Sequence, residues 1–361
     1  MNYYKFFRPL FFKLDPEKCH NLVIFALKNS LLKASKADLS QMQTNVMGLK
    51  FISPIGLAAG FDKNADCIKA LFKQKFGFIE TGTVTPIAQE GNPKPRLFRF
   101  DDQQSIVNQM GFNNKGVDYF HNNLKKWQEY RRKKSFAKNY IIGANIGKNK
   151  DSASAIADYT QLINKLYLDA DYITVNISSP NTKGLRNLQK KELLAEFLQE
   201  ICRVKKNLFE QHALYVPLVI KVSPDLTKNE LVDIADLILF HNIDGIIISN
   251  TSINLRQRHA RNLPAGGLSG QPLFDYSTSL VRFFYSYTEG AIPIIAAGGV
   301  SSPEDAYKKI IAGASLVQIY SSLIFNGFSM INDIYAHLRH MLDKHNLSTI
   351  KELTGREIGL K

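Results

Sequence analysis

After Ser40 the chain alternates short apolar runs with longer amphipathic stretches. The apolar runs, rich in Ile and Val, predict strands over 55–59, 78–83, 141–146, 172–176, 218–222, 245–249, 294–297 and 317–320. Eight strands alternating with helices predict a parallel sheet, and eight is the number that closes a (β/α) barrel. The expected class is therefore α/β, as a (β/α)8 TIM barrel, with a doubly wound open sheet as the alternative. At 361 residues the chain has room for a barrel of about 250 residues plus an extension, or for two ordinary domains.

The N-terminus has a different pattern. Tyr3, Tyr4, Phe6, Phe7, Leu10, Phe11, Phe12 and Leu14 crowd one short stretch, with Lys5, Arg8 and Lys13 between them. Asp15 followed by Pro16 reads as an N-cap with proline at the first helical position, opening a second helix through Leu22, Val23, Ala26, Leu27 and Leu31. Such a pair can be a cap that plugs one end of the main domain. It can equally be an interfacial anchor, with aromatics in the headgroup region and Lys/Arg on anionic lipid. No run approaches the roughly 18 uninterrupted apolar residues of a membrane-spanning helix. The stretch also lacks the apolar centre and small-residue cleavage site of a signal peptide.

In a barrel the C-terminal ends of all eight strands face one mouth. Those ends read Ala59-Gly60 with Lys63, Thr83, Asn145, Asn176 with Ser179, Lys221, Ser249-Asn250-Thr251, Gly298-Gly299, and Tyr320-Ser321. Nearly every one is a hydrogen-bonding residue or a glycine, which lets a ligand approach the backbone. Lys63 and Lys221 would each set a cation among neutral amides and hydroxyls, which suits an anionic ligand. Gly298-Gly299, followed by Val300-Ser301-Ser302-Pro303, reads as a tight turn into a capped helix whose N–H groups can hold a phosphate. Residues 266–270 form a second glycine-rich loop after the sixth strand. Neither glycine cluster has dinucleotide-fold or P-loop spacing.

Composition narrows the classes further. Apolar content of 45% and charged content of 22% are those of a globular protein. The net charge of +14 asks for an anionic partner without choosing among nucleic acid, lipid and small molecule. Arg131, Arg132, Lys133 and Lys134 precede the third strand, at the barrel end away from the mouth. They carry no interleaved aromatics, so we expect a solvated helix end and no nucleic-acid partner. Cys19, Cys67 and Cys202 have no metal or CxxC spacing, which points to a reducing compartment without disulfides. With no HExxH, no His/Asp/Glu cluster and no Ser-His-Asp order, metal hydrolysis and acyl transfer lack support, and no metal site is expected.

Several long motifs, in order, closely resemble the class 2, quinone-dependent dihydroorotate dehydrogenases. They are Ala59-Gly60-Phe61-Asp62-Lys63, Gly82-Thr83-Val84-Thr85-Pro86, residues 92–99, Asn108-Gln109-Met110-Gly111-Phe112-Asn113-Asn114, residues 175–182, residues 266–270, and Gln318-Ile319-Tyr320-Ser321. The resemblance covers nearly the whole chain, including the N-terminal helices that soluble class 1 enzymes lack. It implies an enzyme of pyrimidine (UMP) synthesis that oxidises dihydroorotate to orotate and passes electrons through FMN, one per subunit, to a membrane quinone. The implied FMN contacts are Ala59, Gly60, Phe61, Asp62, Lys63, Thr83, Asn145, Asn176, Lys221, Ser249, Gly270, Gly299, Tyr320 and Ser321. The implied substrate contacts are Lys63, Asn108, Gln109, Met110, Gly111, Phe112, Asn176, Asn181, Asn250 and Thr251. Residues 1–36 become a helical membrane and quinone-tunnel segment with Arg99 near the quinone head, and residues 37–361 the FMN barrel. A monomeric, peripheral protein on anionic lipid at the cytoplasmic face of the cell membrane is expected.

The resemblance makes Ser179 the general base, where class 1 enzymes carry cysteine. A serine hydroxyl is a poor base unless its own proton can leave, so Thr182 with a water is the candidate relay and Phe112 the candidate gate to solvent. Residues 183–186 are expected to form a mobile lid hinged at Gly184. Lys183, Gln109, Ser249 and Ser252 depart from the family's usual proline, arginine and two threonines. Three rival readings follow from the same residues: a soluble flavin enzyme reducing fumarate or NAD, a Schiff-base aldolase using Lys221, and a non-catalytic membrane-surface module.

Overall fold

The computed structural model describes residues 3–259 and 264–359, without the side chains of Tyr3, Lys5, Arg258 and His259. The outer limits of the two expected units, residues 1 and 361, and the lipid-facing side chain expected of Tyr3 lie outside the described residues. The strands in chain order are β1 (Thr44–Val46), β2 (Leu49–Phe51), β3 (Ile55–Leu57), β4 (Phe78–Val84), β5 (Leu97–Phe100), β6 (Ser105–Asn108), β7 (Ile141–Ile146), β8 (Tyr172–Asn176), β9 (Leu218–Val222), β10 (Gly245–Ile248), β11 (Gly267–Gly270), β12 (Ile294–Ala297) and β13 (Leu316–Ile319). Taken in the order β3, β4, β7, β8, β9, β10, β12, β13, eight of them pair in parallel and close into a barrel. The (β/α)8 expectation holds, and the open sheet is excluded. β7, β8, β9 and β12 match their predicted bounds. The other four differ at their ends, where Ala58-Ala59-Gly60 and Ser249 leave the ladder to line the mouth.

Side chains two apart on a strand share a face, so the barrel interior is layered. The lowest layer is apolar: Phe78, Ile141, Tyr172, Val219, Ile247, Ile295 and Leu316, closed from below by Phe51 of the β1–β2 hairpin. The Phe51 and Phe78 rings meet edge-on at 5.3 Å. One step up, Glu80, Thr174, Lys221 and Gln318 are all buried. The Glu80 carboxylate accepts hydrogen bonds from Asn145 Nδ2 at 2.7 Å, Gln318 Nε2 at 2.9 Å, Thr174 Oγ1 at 3.0 Å and the Tyr172 hydroxyl at 3.1 Å. Those donors stand on three different strands. Interior polarity therefore rises toward the C-terminal mouth, where the strands are tied together.

Outside the barrel, the strands bury their second face against a helical ring. Helix Gly116–Lys133 is representative: Val117, Phe120, Leu124 and Trp127 recur at three- and four-residue spacing and all are buried. At its C-terminus Arg132, Lys133 and Lys134 are exposed, as expected of a solvated end. Arg131 differs. Its guanidinium reaches both Asp171 carboxylate oxygens at 2.8 Å just before β8, so it staples this helix to the foot of the barrel.

Residues 266–270 are not a glycine loop. β11 pairs antiparallel with β6, which pairs with β5, making a small sheet at the mouth. Glycine propensity disfavours a strand there, and long-range pairing overrides it.

Two helices pack beside the mouth: α1 (Tyr3–Phe11) and α2 (Pro16–Lys28). Asp15 caps α2 by accepting from Lys18 N, with Pro16 at its start, as predicted. The Tyr4 hydroxyl donates to Ile324 O at 2.5 Å and Arg8 to Phe325 O at 3.0 Å. Helix α2 is held by a buried pair in which Arg96 donates to Glu17 through Nε at 3.1 Å and Nη2 at 2.7 Å. Burial raises the Glu17 carboxyl, but the hydrogen bond and charge of Arg96 outweigh it and hold the group below its ordinary value. Arg96 Nη1 also clamps the carbonyls of Glu90 and Asn92, so α2 and the loop leading to β5 are one unit. The cap therefore sits at the functional end of the barrel, not at its foot.

Replacing Glu80 tests the interior layer. Glu80→Ala orphans four buried donors and should lower unfolding free energy by at least about 3 kcal/mol, read from the urea midpoint, with Glu80→Gln costing less because its carbonyl still accepts. An Ala variant within about 1 kcal/mol of wild type would contradict the layer's role.

Candidate active site

The strand ends open into a single cavity. Its wall includes Ala59, Gly60 and Lys63 after β3, Thr83 of β4, Asn176 and Ser179 at the end of β8, and Lys221 of β9. Ser249, Asn250 and Thr251 follow β10, Gly299 follows β12, and Tyr320 and Ser321 follow β13. The small mouth sheet adds Gly270 of β11, Asn108 of β6 and the Met110, Gly111 and Phe112 that follow it, and Asn181 completes the rim. Residues separated by more than 260 positions in the chain thus surround one space, because eight parallel strands deliver their ends to one side.

Amides and hydroxyls in this wall hold one another in place. Thr83 Oγ1 donates to Asn145 Oδ1 at 2.6 Å and accepts from Asn176 Nδ2 at 3.1 Å. Asn176 Oδ1 accepts from Ser178 Oγ at 2.7 Å, and Asn250 Nδ2 donates to that same Ser178 Oγ at 2.8 Å. Asn181 Nδ2 reaches Asn108 O at 3.1 Å and Asn108 Oδ1 at 3.2 Å across the mouth. Ser179 Oγ accepts from Asn181 N at 3.2 Å. Phe112 adopts a left-handed φ of 55°, and its carbonyl is fixed by Asn114 Nδ2 at 2.7 Å. Such a strained position persists only where its surroundings enforce it.

Six of the expected site residues do not form the wall. Asn145 lies directly beneath it, joining Thr83 and Asn176 to Glu80. Phe61 is buried among the rings of His20, Tyr320 and Phe328. Asp62 turns away and accepts from the backbone N–H of Asp66 at 2.7 Å and Cys67 at 2.8 Å. Burial pushes its carboxyl up to about 6, opposed by those hydrogen bonds. Gln109 points outward and donates to Pro95 O at 3.3 Å. Thr182 is buried behind the rim. Arg99 Nη2 donates to Phe12 O at 2.6 Å, and its guanidinium lies 3.9 Å over the Phe12 ring, so it fastens the end of α1 to β5.

Residues 183–186, expected as a mobile lid, are fixed in their second half. Gly184 has a φ of 72° and Lys183 is exposed, but Leu185 is fully buried and Arg186 is anchored. Arg186 donates to Ser178 O at 3.0 Å, Asp225 Oδ2 at 2.8 Å and Thr251 O at 3.0 Å.

A family model described as dihydroorotate dehydrogenase matches residues 41–342. The chain belongs to the dihydroorotate dehydrogenase family. It is 46% identical to the dihydroorotate dehydrogenase (quinone) of Saccharophagus degradans, covering 91% of this chain and 96% of that one. The corresponding protein of Idiomarina loihiensis is 44% identical over 93% of this chain and its own full length, 100%. A crystal structure of the Eimeria tenella enzyme in complex with ferulenol superposes with a TM-score of 0.90 at 36% identity, covering 95% of this chain and 96% of that one. Class 2 membership follows, and the chain is an oxidoreductase.

In this dihydroorotate dehydrogenase family member, three site features escaped sequence reasoning. Glu80 sits in an apolar strand just as Lys221 does, and a lone charge in such a run was the available signal. The Arg186–Asp225 pair joins the segments after β8, β9 and β10, with Asp225 also accepting from Ile253 N at 2.7 Å. His20 of α2 lines the cavity beside the apolar Leu97, Ile324 and Phe325. Burial, with the nearby Lys63 charge, pushes its imidazole down to about 3, so it is neutral at physiological pH. Burial also pushes Lys63 down to about 8, with Glu17 opposing and Arg96 adding to the shift. Lys221 is lowered by burial too, while the charge of Glu80 favours its ammonium.

Proposed function

We propose that the chain oxidises dihydroorotate to orotate in de novo pyrimidine biosynthesis, with FMN in the barrel mouth as hydride acceptor and a membrane quinone as final electron acceptor. The observation that carries this reading is that one cavity joins two chemistries. Its polar end has Lys63, Lys221, Asn108, Asn176, Asn181 and Asn250. Its apolar end has Leu97, Ile324 and Phe325 beside His20 of α2, with the carbonyls of Ile324 and Phe325 held by Tyr4 and Arg8 of α1. The polar end suits a charged heterocycle, and the apolar end suits a hydrophobic acceptor arriving from lipid.

The wall fits an FMN. Gln318 Oε1 and Ser322 Oγ are buried in it and have no hydrogen-bond partner among the described residues. A ligand with donors and acceptors along one edge would satisfy them. Bound FMN would supply the two-electron acceptor. Ser179 is then the base that takes the ring-carbon proton. Its Oγ already accepts a backbone hydrogen bond, which leaves its own proton to be passed outward, toward Thr182 in this reading. Phe112 screens that path from solvent. Lys63 pairs with the substrate carboxylate, and the asparagines satisfy the ring amides and fix its orientation. Lys221 would set a positive charge beside a bound flavin and favour its reduced, anionic form, an effect worth about 3 kcal/mol in preorganised sites.

Residues 1–36 are, in the same reading, the membrane-facing segment of a peripheral protein at the cytoplasmic face of the cell membrane. No helix among the described residues is long and apolar enough to cross a bilayer. The helix pair nevertheless exposes Phe6 at 81%, Leu10 at 65% and Phe25 at 60%, and Leu31, expected in α2 but lying past its end at Lys28, is exposed at 67%, an apolar surface that a headgroup region would cover. The net charge of +14 favours anionic lipid. Arg99 shapes this entrance through Phe12.

The purified protein should be yellow, bleach on anaerobic addition of dihydroorotate, and recover its colour far faster with a quinone than with fumarate or NAD. A colourless protein, or equal recovery with fumarate, contradicts the proposal. Ser179→Ala should keep its flavin and bleach about 10²–10⁴-fold more slowly, and near-normal bleaching would remove Ser179 from the role. Lys63 must be protonated to pair with a carboxylate, so kcat/KM for dihydroorotate should fall as pH rises through about 8. A profile flat through that region would show that Lys63 does not bind the substrate.

A further inference from the structure

Lys309 is fully buried in helix Pro303–Ile311, forms no ion pair among the described residues, and takes no part in the chemistry above. Its Nζ donates to Ser277 Oγ at 2.6 Å. That hydroxyl stands 3.0 Å from the Gly298 carbonyl and 3.1 Å from the Phe274 carbonyl. The ammonium also lies 5.1 Å from the centroid of the Phe274 ring. Gly298 and Gly299 follow β12 with φ of 103° and 79°, and both line the cavity. A Cβ on Gly299 would overlap the Phe274 backbone. The turn is therefore packed against Phe274, and Lys309 acting through Ser277 ties Phe274 to Gly298.

An isolated ammonium is among the costliest groups to bury. Burial drives this one well below the ordinary lysine value, with Asp305 opposing, Arg282 adding and Asp275 opposing. A methionine would fill the same space without that cost, so a structural role alone does not explain a lysine. An anion in the adjacent turn does explain it. Left-handed glycines turn successive backbone N–H groups into a concavity that suits a phosphate. In the neighbouring wall, Ser322 Oγ is buried, lines the cavity and has no partner among the described residues.

We propose that Lys309 is a positioning residue that, through Ser277 and Phe274, sets the Gly298–Gly299 turn in the shape that grips the phosphate of the flavin. This rests on the flavin reading above. It extends that reading to a side chain outside the cavity wall and to one chemical group of the ligand.

The test compares FMN with riboflavin, which lacks the phosphate, by titrating flavin-stripped full-length protein and following quenching of flavin fluorescence. Wild type should bind FMN well above riboflavin. Lys309→Met should weaken FMN about ten- to a hundredfold while changing riboflavin less than about twofold, the size expected for removing one partner of a buried hydrogen bond. Equal weakening of both flavins, or no weakening, overturns the proposal. If Lys309→Met does not melt cooperatively, Ser277→Ala decides in its place: selective loss of FMN supports the proposal and an unchanged FMN-to-riboflavin ratio overturns it. A wild-type chain that binds neither flavin, or binds both equally, defeats the flavin reading itself, a result distinguishable from failure of the Lys309 proposal alone.

Discussion

A single buried carboxylate organises the barrel interior. Glu80 on β4 accepts from Asn145 on β7, Tyr172 and Thr174 on β8, and Gln318 on β13, so strands on both sides of β4 are referred to one charge. Burying that charge is tolerable because its oxygens are satisfied and Lys221 stands near enough to be favoured by it. Two of its four donors also reach the wall: Asn145 holds Thr83 and Asn176, and Gln318 lines the cavity with its Oε1 buried. The geometry of the mouth is inherited from a hydrogen-bond network one layer below it. That is how a scaffold preorganises the polar groups of a site.

The second constraint is where the N-terminal helices sit. Glu17 of α2 pairs with Arg96, and Arg96 grips the carbonyls of Glu90 and Asn92, close to the segment that carries Asn108 to Phe112. Asn92 in turn donates to Gln109 O at 2.9 Å and Asn181 O at 3.4 Å. The helices that present Phe6, Leu10 and Phe25 outward are thus mechanically continuous with the rim of the polar site. His20 lines the same cavity as the apolar Leu97, Ile324 and Phe325 and the polar strand ends, and its ring is neutral.

Much of this was legible from period and punctuation. Strands β7, β8, β9 and β12 are continuous apolar runs bounded by turn residues, and the mouth residues followed from the rule that parallel strands end on one side. What sequence could not resolve was orientation within a motif. Ala59 to Lys63 reads as one binding element, yet only Ala59, Gly60 and Lys63 face the cavity, because the chain turns and sends Phe61 into an aromatic cluster and Asp62 onto the next helix. β11 escaped notice because glycine hides a strand whose stability comes from partners about 160 residues away, as in the Leu268–Val107 pairing. Residues 183–186 read as one mobile unit because Gly184 is a plain hinge signal, whereas the anchoring of Arg186 depends on Asp225 across two strand ends.

The claim on which all else rests is that these converging strand ends enclose a flavin and a pyrimidine side by side. A crystal structure of the full chain with FMN and orotate tests it most directly. The account predicts flavin density bounded by Thr83, Asn176, Lys221 and Tyr320, with orotate between that density and Ser179 and its carboxylate on Lys63. Density for either molecule outside this ring, or orotate on the far side from Ser179, would contradict it.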